Sequence, residues 1–575
     1  MVVAGSQARS AGSAGGAGDD EPWGALAAEL ASGLEGEVRF DPGSRALYAY
    51  DGSIYRQVPI GVVIPKSTDD VVRAVEICRR HGAPVLSRGC GTSVAGQCVN
   101  VAVVIDHSKY LNEILEIDAE RRRARVQPGV ICDRLRDAAG EHGLTYGPDP
   151  STHDHCTLGG MVGNNSCGTH ALMAGKTVDN IEQLEILLYD GTRMVVGPTS
   201  DEELAAIIDA GGRKADIYAG LKRIADRYGQ QIRDQFPDIP RRVSGYNLDD
   251  LLPEKGFNVA RALVGSEGTC VTVLQATARL VPSPPKRSLV VLGFPDMPSA
   301  GHAVPALLEL EPIGLEFFDS RVVGRLDTKG VDLGGERLLP EGECWLLVEF
   351  GADTQEESEE RANRLREKVQ GWEHAPTFKL YEDASQETAV WEVRRHSVGA
   401  SRMPAGLGGN PGWANWEDAA VSPDRLGDYL ADQLDLLGEY GYDGMFYGHF
   451  GQGCVHCRID FDLRSAGGIQ RFRSFMERSA DLVVSYGGSL SGEHGDGHGR
   501  AELWPKMFGP ELMTAFAEFK SLWDPDNRMN PGKLVDPYRL DEHLREGAGY
   551  QPVRVSTHFG FPEDAGDFSE AAGRC

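Results

Sequence analysis

The sequence lacks any long hydrophobic run. No apolar stretch in its 575 residues approaches the roughly 20 that a membrane-spanning helix needs. The N-terminus also lacks the basic start and apolar core that mark a secretory signal. These absences predict a chain with no membrane span that works in the cytoplasm.

Positive charge is also scarce. Lys and Arg total 58 against 86 Asp and Glu, which gives a formal net charge of −28. A surface this acidic repels the phosphates of nucleic acid and of anionic lipid. Neither is therefore an expected partner.

Cysteine spacing of the disulfide-framework type is missing. The 11 cysteines are scattered, and only Cys454 and Cys457 form a CxxC pair. Scattered thiols suit a reducing compartment. Because alternate residues of a strand face opposite sides, we interpret this pair as two buried thiols rather than as ligands.

The length and the placement of proline indicate more than one domain. A chain of this size is too long for a single ordinary core. Residues 1–22 are mostly Gly, Ala and Ser and are predicted to form a disordered tail. The proline-rich run 282–285 marks a boundary. We therefore expect one domain over 40–285 and a second over 286–520.

Short apolar strands and amphipathic helices alternate in both domains, which predicts an α+β fold. In the first domain, strand 60–64 is followed by a helix that Ser67 caps and Gly82 ends. The dipeptide Asp190-Gly191 predicts a hairpin turn. In the second domain, the predicted helices 426–440 and 472–486 bracket residues 445–462, which suggests helices on one face of an antiparallel sheet.

Three glycine-rich loops stand out in the first domain. The first, 88–96, lies between two strands, and its glycines let backbone N–H groups approach a diphosphate. Its GxGxxxxG spacing and the strand that follows do not fit a Rossmann fingerprint. The second, 148–168, is long and irregular, and the third, 264–269, precedes an apolar strand. One such loop is compatible with an ordinary turn, whereas three favour a ligand site.

The second domain contains a cluster of residue types that bind metal ions. His449 and His456 lie in GHFGQGCVH, and Glu493 and His494 lie in SGEHGDG. Two imidazoles and a carboxylate form a three-ligand zinc site with one coordination position open for substrate. The alternative is a set of histidines satisfied within the core. The surrounding glycines provide access to the cluster, and both interpretations stay open at this point.

A pair of arginines, Arg394 and Arg395, lies in the helix-like stretch 388–398. Such a pair is usually a solvated helix face. One of the two could instead be buried beside a substrate carboxylate, because the guanidinium fork matches that group.

Seven motifs occur together in one order: RGCGTSVAG, PDPST…TLGGMVGNNSCG, VSGYNLDDLL, VGSEGT, GHFGQGCVH, SGEHGDG and NPGKL. They closely resemble the FAD-linked oxidases of the vanillyl-alcohol-oxidase fold, in the D-lactate, glycolate and D-2-hydroxyglutarate dehydrogenase branch. The resemblance covers about 40–545. It implies a two-subdomain FAD-binding domain, an antiparallel-sheet cap domain with helices, and a C-terminal segment over 521–545 that returns to the flavin domain.

The resemblance also implies the site residues. Non-covalent FAD would be bound by Arg88, Gly89, Cys90, Gly91, Thr92, Ser93, Gly96, Pro148, Thr157, Gly159, Gly160, Gly163, Asn164, Gly168, Gly265, Glu267, Gly268 and Asn530. A divalent metal, with zinc expected, would be bound by His449, His456 and Glu493. The catalytic residues would be His494, as the base, and Arg394, as the carboxylate anchor.

The implied reaction is the oxidation of a D-2-hydroxy acid of the D-lactate or D-2-hydroxyglutarate class to the 2-oxo acid. The hydride would pass to flavin N5. The expected electron acceptor is an iron-sulfur protein, a quinone or an electron-transfer flavoprotein, rather than oxygen. Two alternatives stay open: a flavin-dependent transferase of the same fold, and a flavin-binding subunit that is inactive without an iron-sulfur partner.

The sequence departs from the family pattern at three places. Trp416 stands where relatives carry a lysine shortly before the aspartate corresponding to Asp418, which puts recognition of a second carboxylate in doubt. Gln452 and Cys454 replace the usual Asp and Asn between the two histidines. The tail 546–575 resembles the lead-in to an iron-sulfur domain of larger relatives, with Cys575 as its first ligand. A single thiolate cannot bind such a cluster, so none is expected in this chain.

Overall fold

The structure of the protein, a computed structural model, describes residues 23–328, 334–381, 383–400, 412–552, 555–562 and 566–573. The predicted tail 1–22, most of the glycine-rich stretch Gly406–Gly412 and Cys575 lie outside the described residues. None of the described helices is long and apolar enough to cross a membrane.

The first part of the described chain forms a four-stranded sheet with three helices. The strands are β1 (Glu37–Arg39), β2 (Gly61–Ile64), β3 (Val85–Arg88) and β4 (Val103–Asp106), in the order β1-β2-β4-β3. The helices are α1 (Gly24–Gly33), α2 (Pro42–Leu47) and α3 (Thr68–Arg80). Strands β2, β4 and β3 are parallel, and β2 and β4 are buried along their whole length. As predicted, the Ser67 side chain caps α3 by accepting the Asp70 N–H.

A second sheet of five antiparallel strands follows, in the order β5-β6-β10-β8-β9. The strands of this region are β5 (Ile114–Asp118), β6 (Arg123–Val126), β7 (Leu144–Thr145), β8 (Ile181–Leu187), β9 (Arg193–Val196), β10 (Thr272–Arg279) and β11 (Val281–Pro282). Strands β7 and β11 pair separately. The predicted hairpin joins β8 to β9, with Gly191 at φ +91°.

Six helices accompany the second sheet: α4 (Cys132–Gly140), α5 (Leu158–Asn164), α6 (Ala171–Ala174), α7 (Asp201–Ala210), α8 (Gly212–Gln235) and α9 (Val259–Leu263). Helix α5 corrects the prediction that 148–168 is irregular throughout. Its glycines hide the helix from a propensity argument. The start is nevertheless marked by Thr157, whose side chain accepts the Gly160 N–H, and the end by Asn165 in the left-handed conformation.

The second domain contains a seven-stranded antiparallel sheet, in the order β15-β12-β14-β13-β17-β18-β16. Its strands are β12 (Lys286–Phe294), β13 (Gly314–Asp319), β14 (Cys344–Ala352), β15 (Thr377–Leu380), β16 (Ala419–Ala420), β17 (Gly444–His449) and β18 (Cys454–Ile459). The predicted cap sheet is therefore present, and residues 445–462 contribute two of its strands.

Helices cover both faces of this sheet. They are α10 (Met297–Leu308), α11 (Ser320–Thr328), α12 (Gln355–Gln370), α13 (Ala384–Ala400), α14 (Leu426–Tyr440) and α15 (Ala466–Ser485). The two predicted helices, α14 and α15, share one core cluster with Phe317, whereas α11 and α13 pack in another with Phe318. Helix α15 begins six residues earlier than predicted, because Ser465 caps a first turn without an apolar stripe.

The C-terminal part contains α16 (Gly497–Arg500), α17 (Trp504–Trp523) and α18 (Phe568–Gly573). Helix α17 packs against α8. Beyond α17 the chain lies beside β3, where the Val85 N–H donates to the Arg528 carbonyl and the Asn530 N–H donates to the Val85 carbonyl, both over 2.9 Å. Residues after the second domain are thereby bonded to the first sheet.

Candidate active site

One cavity of about 630 Å³ reaches from the glycine-rich loops to the histidine cluster. Most of the predicted site residues line it: Arg88, Gly89, Cys90, Gly91, Thr92, Ser93, Thr157, Gly159, Gly160, Gly163, Asn164, Glu267, Gly268, Arg394, His449, His456, Glu493 and His494. The fold thus brings together groups that lie more than 400 residues apart in sequence.

Five residues that the resemblance assigned to the cofactor do not line this cavity: Gly96, Pro148, Gly168, Gly265 and Asn530. Three of them, Gly168, Gly265 and Asn530, form hydrogen bonds to other parts of the protein. The Gly168 carbonyl accepts a hydrogen bond from Arg241, and the Gly265 N–H donates to the Val162 carbonyl over 2.9 Å. The Asn530 amide donates to the carbonyls of Gln97 and Glu267 over 3.0 and 2.9 Å.

The first glycine loop is held in place by Arg88. Its guanidinium donates to the carbonyls of Tyr50 and Cys98 over 2.8 and 2.7 Å. Gly91 has φ +70°, and a Cβ there would lie 2.3 Å from Arg88 Nη2. The loop therefore needs glycine at this position, and Arg88 serves to shape it.

The third loop leaves room for a ligand against its backbone. Gly268 has φ +68°, and a Cβ there would meet nothing within 4 Å, so the glycine borders open cavity. Its neighbour Glu267 accepts the N–H groups of Asp496 and Gly497 over 2.8 and 3.0 Å. Burial raises the pKa of Glu267 to about 8. The loop is thereby joined to the SGEHGDG segment.

His107 is a cavity residue that the sequence argument missed. It is 5% exposed, lines the cavity, and neither ring nitrogen has a hydrogen-bond partner among the described residues. Burial lowers its pKa to about 4, so the ring is neutral. A buried imidazole facing a cavity with unbonded nitrogens fits a polar ligand group.

At the inner end of the cavity, three imidazoles surround one carboxylate oxygen. The Nε2 atoms of His449, His456 and His494 lie 2.7, 3.0 and 3.5 Å from Glu493 Oε1. His449 ends β17 and His456 lies on the paired strand β18, while Glu493 and His494 come from the loop before α16.

The opposite nitrogen of each ring meets an acceptor. His449 Nδ1 lies 2.7 Å from Glu316 Oε1, His456 Nδ1 donates to the Glu417 carbonyl over 2.9 Å, and His494 Nδ1 bonds the Glu417 carboxylate. A neutral ring that donates from Nδ1 presents a lone pair at Nε2. A carboxylate oxygen that faces three Nε2 atoms needs a proton or a cation at those nitrogens, and a metal ion can fill that role. The donor set therefore fits a divalent metal ion.

A second grouping of possible ligands includes Asp418. Atoms of Asp418, His456, Glu493 and His494 lie within 4.8 Å of one another. Asp418 lies on the Nδ1 side, however, 3.7 Å from His456 and 3.8 Å from His494. Its carboxylate already accepts the N–H groups of Glu493 and His494 over 3.0 and 2.7 Å. We therefore assign Asp418 to positioning the loop.

Two charged residues that the sequence argument missed, Arg241 and Glu417, contact Glu493 and His494. Arg241 is buried and donates to Glu493 Oε2 over 2.7 Å, while Gln452 accepts from Arg241 Nε over 2.7 Å. Burial opposes ionisation of Glu493, but His449 and Arg241 hold its pKa well below the usual value. Burial would lower the pKa of His494, but Glu417 raises it well above the usual value.

Arg394 is the buried member of the arginine pair. It is 6% exposed, lies on α13, and donates from Nη2 to Glu316 Oε2 over 2.7 Å. Arg395 is exposed and pairs with Glu392. Trp416, where the resemblance led us to expect a lysine, packs in the core and does not line the cavity. Cys454 and Cys457 are buried free thiols.

Comparison with known proteins identifies both halves of the chain. Residues 59–197 match the family described as "FAD binding domain", and residues 283–534 match "FAD linked oxidases, C-terminal domain". A solved 4-ethylphenol oxidase from Gulosibacter chungangensis has the same fold, with a TM-score of 0.60 at 16% identity, over 91% of this chain and 99% of that one.

Curated relatives include two dehydrogenases. D-2-hydroxyglutarate dehydrogenase of Pseudomonas putida is 32% identical, over 89% of this chain and 52% of its own length. D-lactate dehydrogenase of Archaeoglobus fulgidus is 30% identical, over 82% of this chain and 91% of its own length. The chain spans about half the length of the D-2-hydroxyglutarate dehydrogenases it matches. It belongs to the FAD-linked oxidases, in the branch that contains the D-2-hydroxyglutarate and D-lactate dehydrogenases.

Proposed function

We propose that this chain is an FAD-linked dehydrogenase that oxidises a D-2-hydroxy acid, of the D-lactate or D-2-hydroxyglutarate class, to the 2-oxo acid. The observation that carries the proposal is the convergence of three imidazole Nε2 atoms on Glu493 Oε1. This cluster lies in the same cavity as the glycine-rich loops. A flavin and a substrate hydroxyl can therefore meet in one enclosed space.

We propose that FAD occupies the loop end of the cavity without a covalent bond. Gly268 leaves room at the backbone, and the loop 88–93 contributes N–H groups for the diphosphate. His107 adds a neutral polar group there. When bound, the flavin supplies a hydride acceptor. Acid precipitation should release FAD into the supernatant, and flavin retained in the pellet would contradict non-covalent binding.

His449, His456 and Glu493 are proposed to bind a divalent metal, with zinc as the expected ion. When bound, the metal supplies a Lewis acid that lowers the pKa of a substrate hydroxyl. The protein contributes the orientation of the ligands. Glu316 and the Glu417 carbonyl fix the rings of His449 and His456, and Arg241 fixes the Glu493 carboxylate.

His494 is proposed as the base. Its Nδ1 is bonded to the buried Glu417 carboxylate, so Nε2 is the nitrogen that faces the cluster and can accept the hydroxyl proton. The Glu417 carboxylate stabilises the imidazolium that results. Arg500, which donates to the other Glu417 oxygen over 2.8 Å, holds Glu417 in place.

Arg394 is proposed to bind the substrate carboxylate next to the reacting carbon. The guanidinium is desolvated and is oriented by its bond to Glu316 Oε2. A buried arginine strengthens a charge-assisted bond to a carboxylate. Binding the carboxylate at Arg394 would restrict the position of the adjacent C2 carbon in the cavity.

Electrons would leave the flavin to an acceptor other than oxygen: an iron-sulfur protein, a quinone or an electron-transfer flavoprotein. The test of the proposed function is an anaerobic panel of D- and L-2-hydroxy acids, read at the flavin absorption band. Bleaching by a D-acid and recovery with an artificial acceptor is the expected result. No bleaching by any acid would refute it. Product formation without net oxidation would support the transferase alternative.

A further inference from the structure

Arg458 is a buried cation that neither the metal site nor the base uses. It is 4% exposed and lines the cavity. Its Nε and Nη1 donate no hydrogen bond to any residue that the structure describes. Burying a guanidinium with unbonded donors is costly unless a ligand satisfies them.

The nearest carboxylate is already occupied. Glu417 Oε2 lies 3.8 Å from Arg458 Nη1, which is within ion-pair range but too long for a hydrogen bond. The two Glu417 oxygens accept from Arg500 and from His494 instead. The Glu417 charge therefore lowers the free-energy cost of burying the Arg458 guanidinium, but it accepts no hydrogen bond from Arg458 Nε or Nη1.

A second unbonded donor stands beside this guanidinium. The Tyr447 hydroxyl is buried, lines the same cavity, and has no hydrogen-bond partner in the described part of the chain. The centroid of the Tyr447 ring lies 6.0 Å from Arg458 Cζ and 5.2 Å from Arg394 Cζ. Two arginines of the cavity wall therefore lie close to the same aromatic ring.

Arg458 lies near the histidine cluster, on the same strand as His456. Arg458 and His456 are two residues apart on β18, so their side chains point to the same face, with a spacing of roughly 6.6 Å along the strand. Tyr447 is paired with His456 across the two strands. A carboxylate bound by Arg458 would therefore belong to the part of a substrate that extends away from the imidazoles.

We propose that Arg458 and the Tyr447 hydroxyl form an anion subsite for a second carboxylate, so that the preferred substrate is a 2-hydroxy dicarboxylic acid. This inference rests on the proposed function for the first carboxylate and the hydroxyl. Arg458 on β18 would then supply the positive charge for the second carboxylate, which the uncharged Trp416 cannot supply. The subsite needs no group beyond the described side chains, since the guanidinium fork and one hydroxyl can together bind a carboxylate.

The test compares two substrates that differ only at the distal end, D-2-hydroxyglutarate and D-2-hydroxyvalerate. For the unmodified protein, kcat/KM should be about 10- to 100-fold higher for the diacid, because the monoacid leaves buried donors unsatisfied. Arg458→Gln should remove this preference by raising KM for the diacid, with the monoacid changed less than about 2-fold. Tyr447→Phe should remove part of it, and Arg458→Lys should retain part of it.

Arg395→Gln is the matched control, because it removes the same charge from an exposed side chain at the edge of the same cavity. It should leave the preference intact. Equal losses for both substrates in Arg458→Gln, or the same loss of preference in Arg395→Gln, would overturn the subsite. FAD content and tryptophan fluorescence establish that each variant folds.

A binding measurement separates this inference from the proposed function. Titration calorimetry with 2-oxoglutarate and 2-oxovalerate requires no turnover. The diacid should bind about 10- to 100-fold more tightly, and Arg458→Gln should abolish the difference. If neither hydroxy acid bleaches the flavin but the oxo acids are discriminated, the proposed function fails and the subsite stands. Equal affinities would overturn the subsite alone.

Discussion

His449 and Arg394 are joined through a single carboxylate. Glu316 bonds His449 Nδ1 through Oε1 and Arg394 Nη2 through Oε2, each over 2.7 Å. Glu316 lies in the middle of β13 and is 0% exposed. The orientation of a proposed metal ligand and that of the proposed carboxylate anchor therefore depend on one buried side chain.

Glu316→Gln should weaken both functions. An amide has one acceptor oxygen, so it can accept from His449 or from Arg394 but presents its NH₂ group to the other. We expect metal affinity to fall by about 10- to 100-fold and KM for the hydroxy acid to rise. Competition with a chelating dye measures the metal affinity, and steady-state kinetics gives KM. Unchanged values of both would show that Glu316 does not position these residues.

His456→Ala should abolish dye-linked turnover while FAD stays bound, because the cofactor and metal sites use different loops. Removing one of three metal ligands should also empty the site. Elemental analysis of the purified variant gives the metal content, and the flavin spectrum gives FAD occupancy. Cys457→Ser, one residue along the same strand and facing the opposite side, is the control and should keep both. Normal turnover in His456→Ala would contradict the metal assignment.

Gly268→Ala should reduce FAD affinity by at least about 10-fold. A Cβ at this position would enter the cavity against which the flavin is proposed to lie, and φ +68° adds backbone strain. Gly256→Ala is the matched control, since Gly256 has φ +76°, is exposed and does not line the cavity. Equilibrium dialysis measures the released FAD. If both variants lose FAD affinity equally, backbone strain rather than the lost cavity space explains the effect.

The sequence is sufficient to single out the histidine and glutamate motifs and to predict some of the elements, among them the helix 426–440. The sequence singles out four residues that can bind metal ions and lie among glycines: His449, His456, Glu493 and His494. The structure places the three histidines around Glu493 Oε1. The helix 426–440 has the predicted bounds because its apolar periodicity is strong.

The residues that orient this site could not be predicted in the same way. Glu316 lies in the apolar strand GLEFFD, and Arg241 lies in the loop that follows α8, so neither stands in a recognisable metal or acid-base pattern. Their roles come from tertiary contacts with Glu493 and His449. Helix α5 was missed for a related reason, because its glycines have low helix propensity and only packing and the Thr157 cap favour it.

The stability of the folded protein should fall as pH rises from about 6.5 to about 10, through His170. Its Nδ1 bonds Asp149 at the glycine-rich segment, and its Nε2 lies 2.7 Å from Glu349 on β14. Burial opposes protonation of His170, but Asp149 and Glu349 raise its pKa to about 10. The folded state therefore binds more protons than the unfolded state across this window, and the contribution is complete only below about 6.5.

Thermal unfolding of the FAD-bound protein from pH 6 to pH 9 measures this effect. His170→Gln retains a donor for one carboxylate but has no titratable group, so its melting temperature should be lower at pH 6 and should depend less on pH than that of the unmodified protein. His155, which is exposed, offers the control variant His155→Gln, expected to follow the unmodified curve. Parallel pH profiles for the unmodified protein and His170→Gln would show that this histidine is not the titrating group.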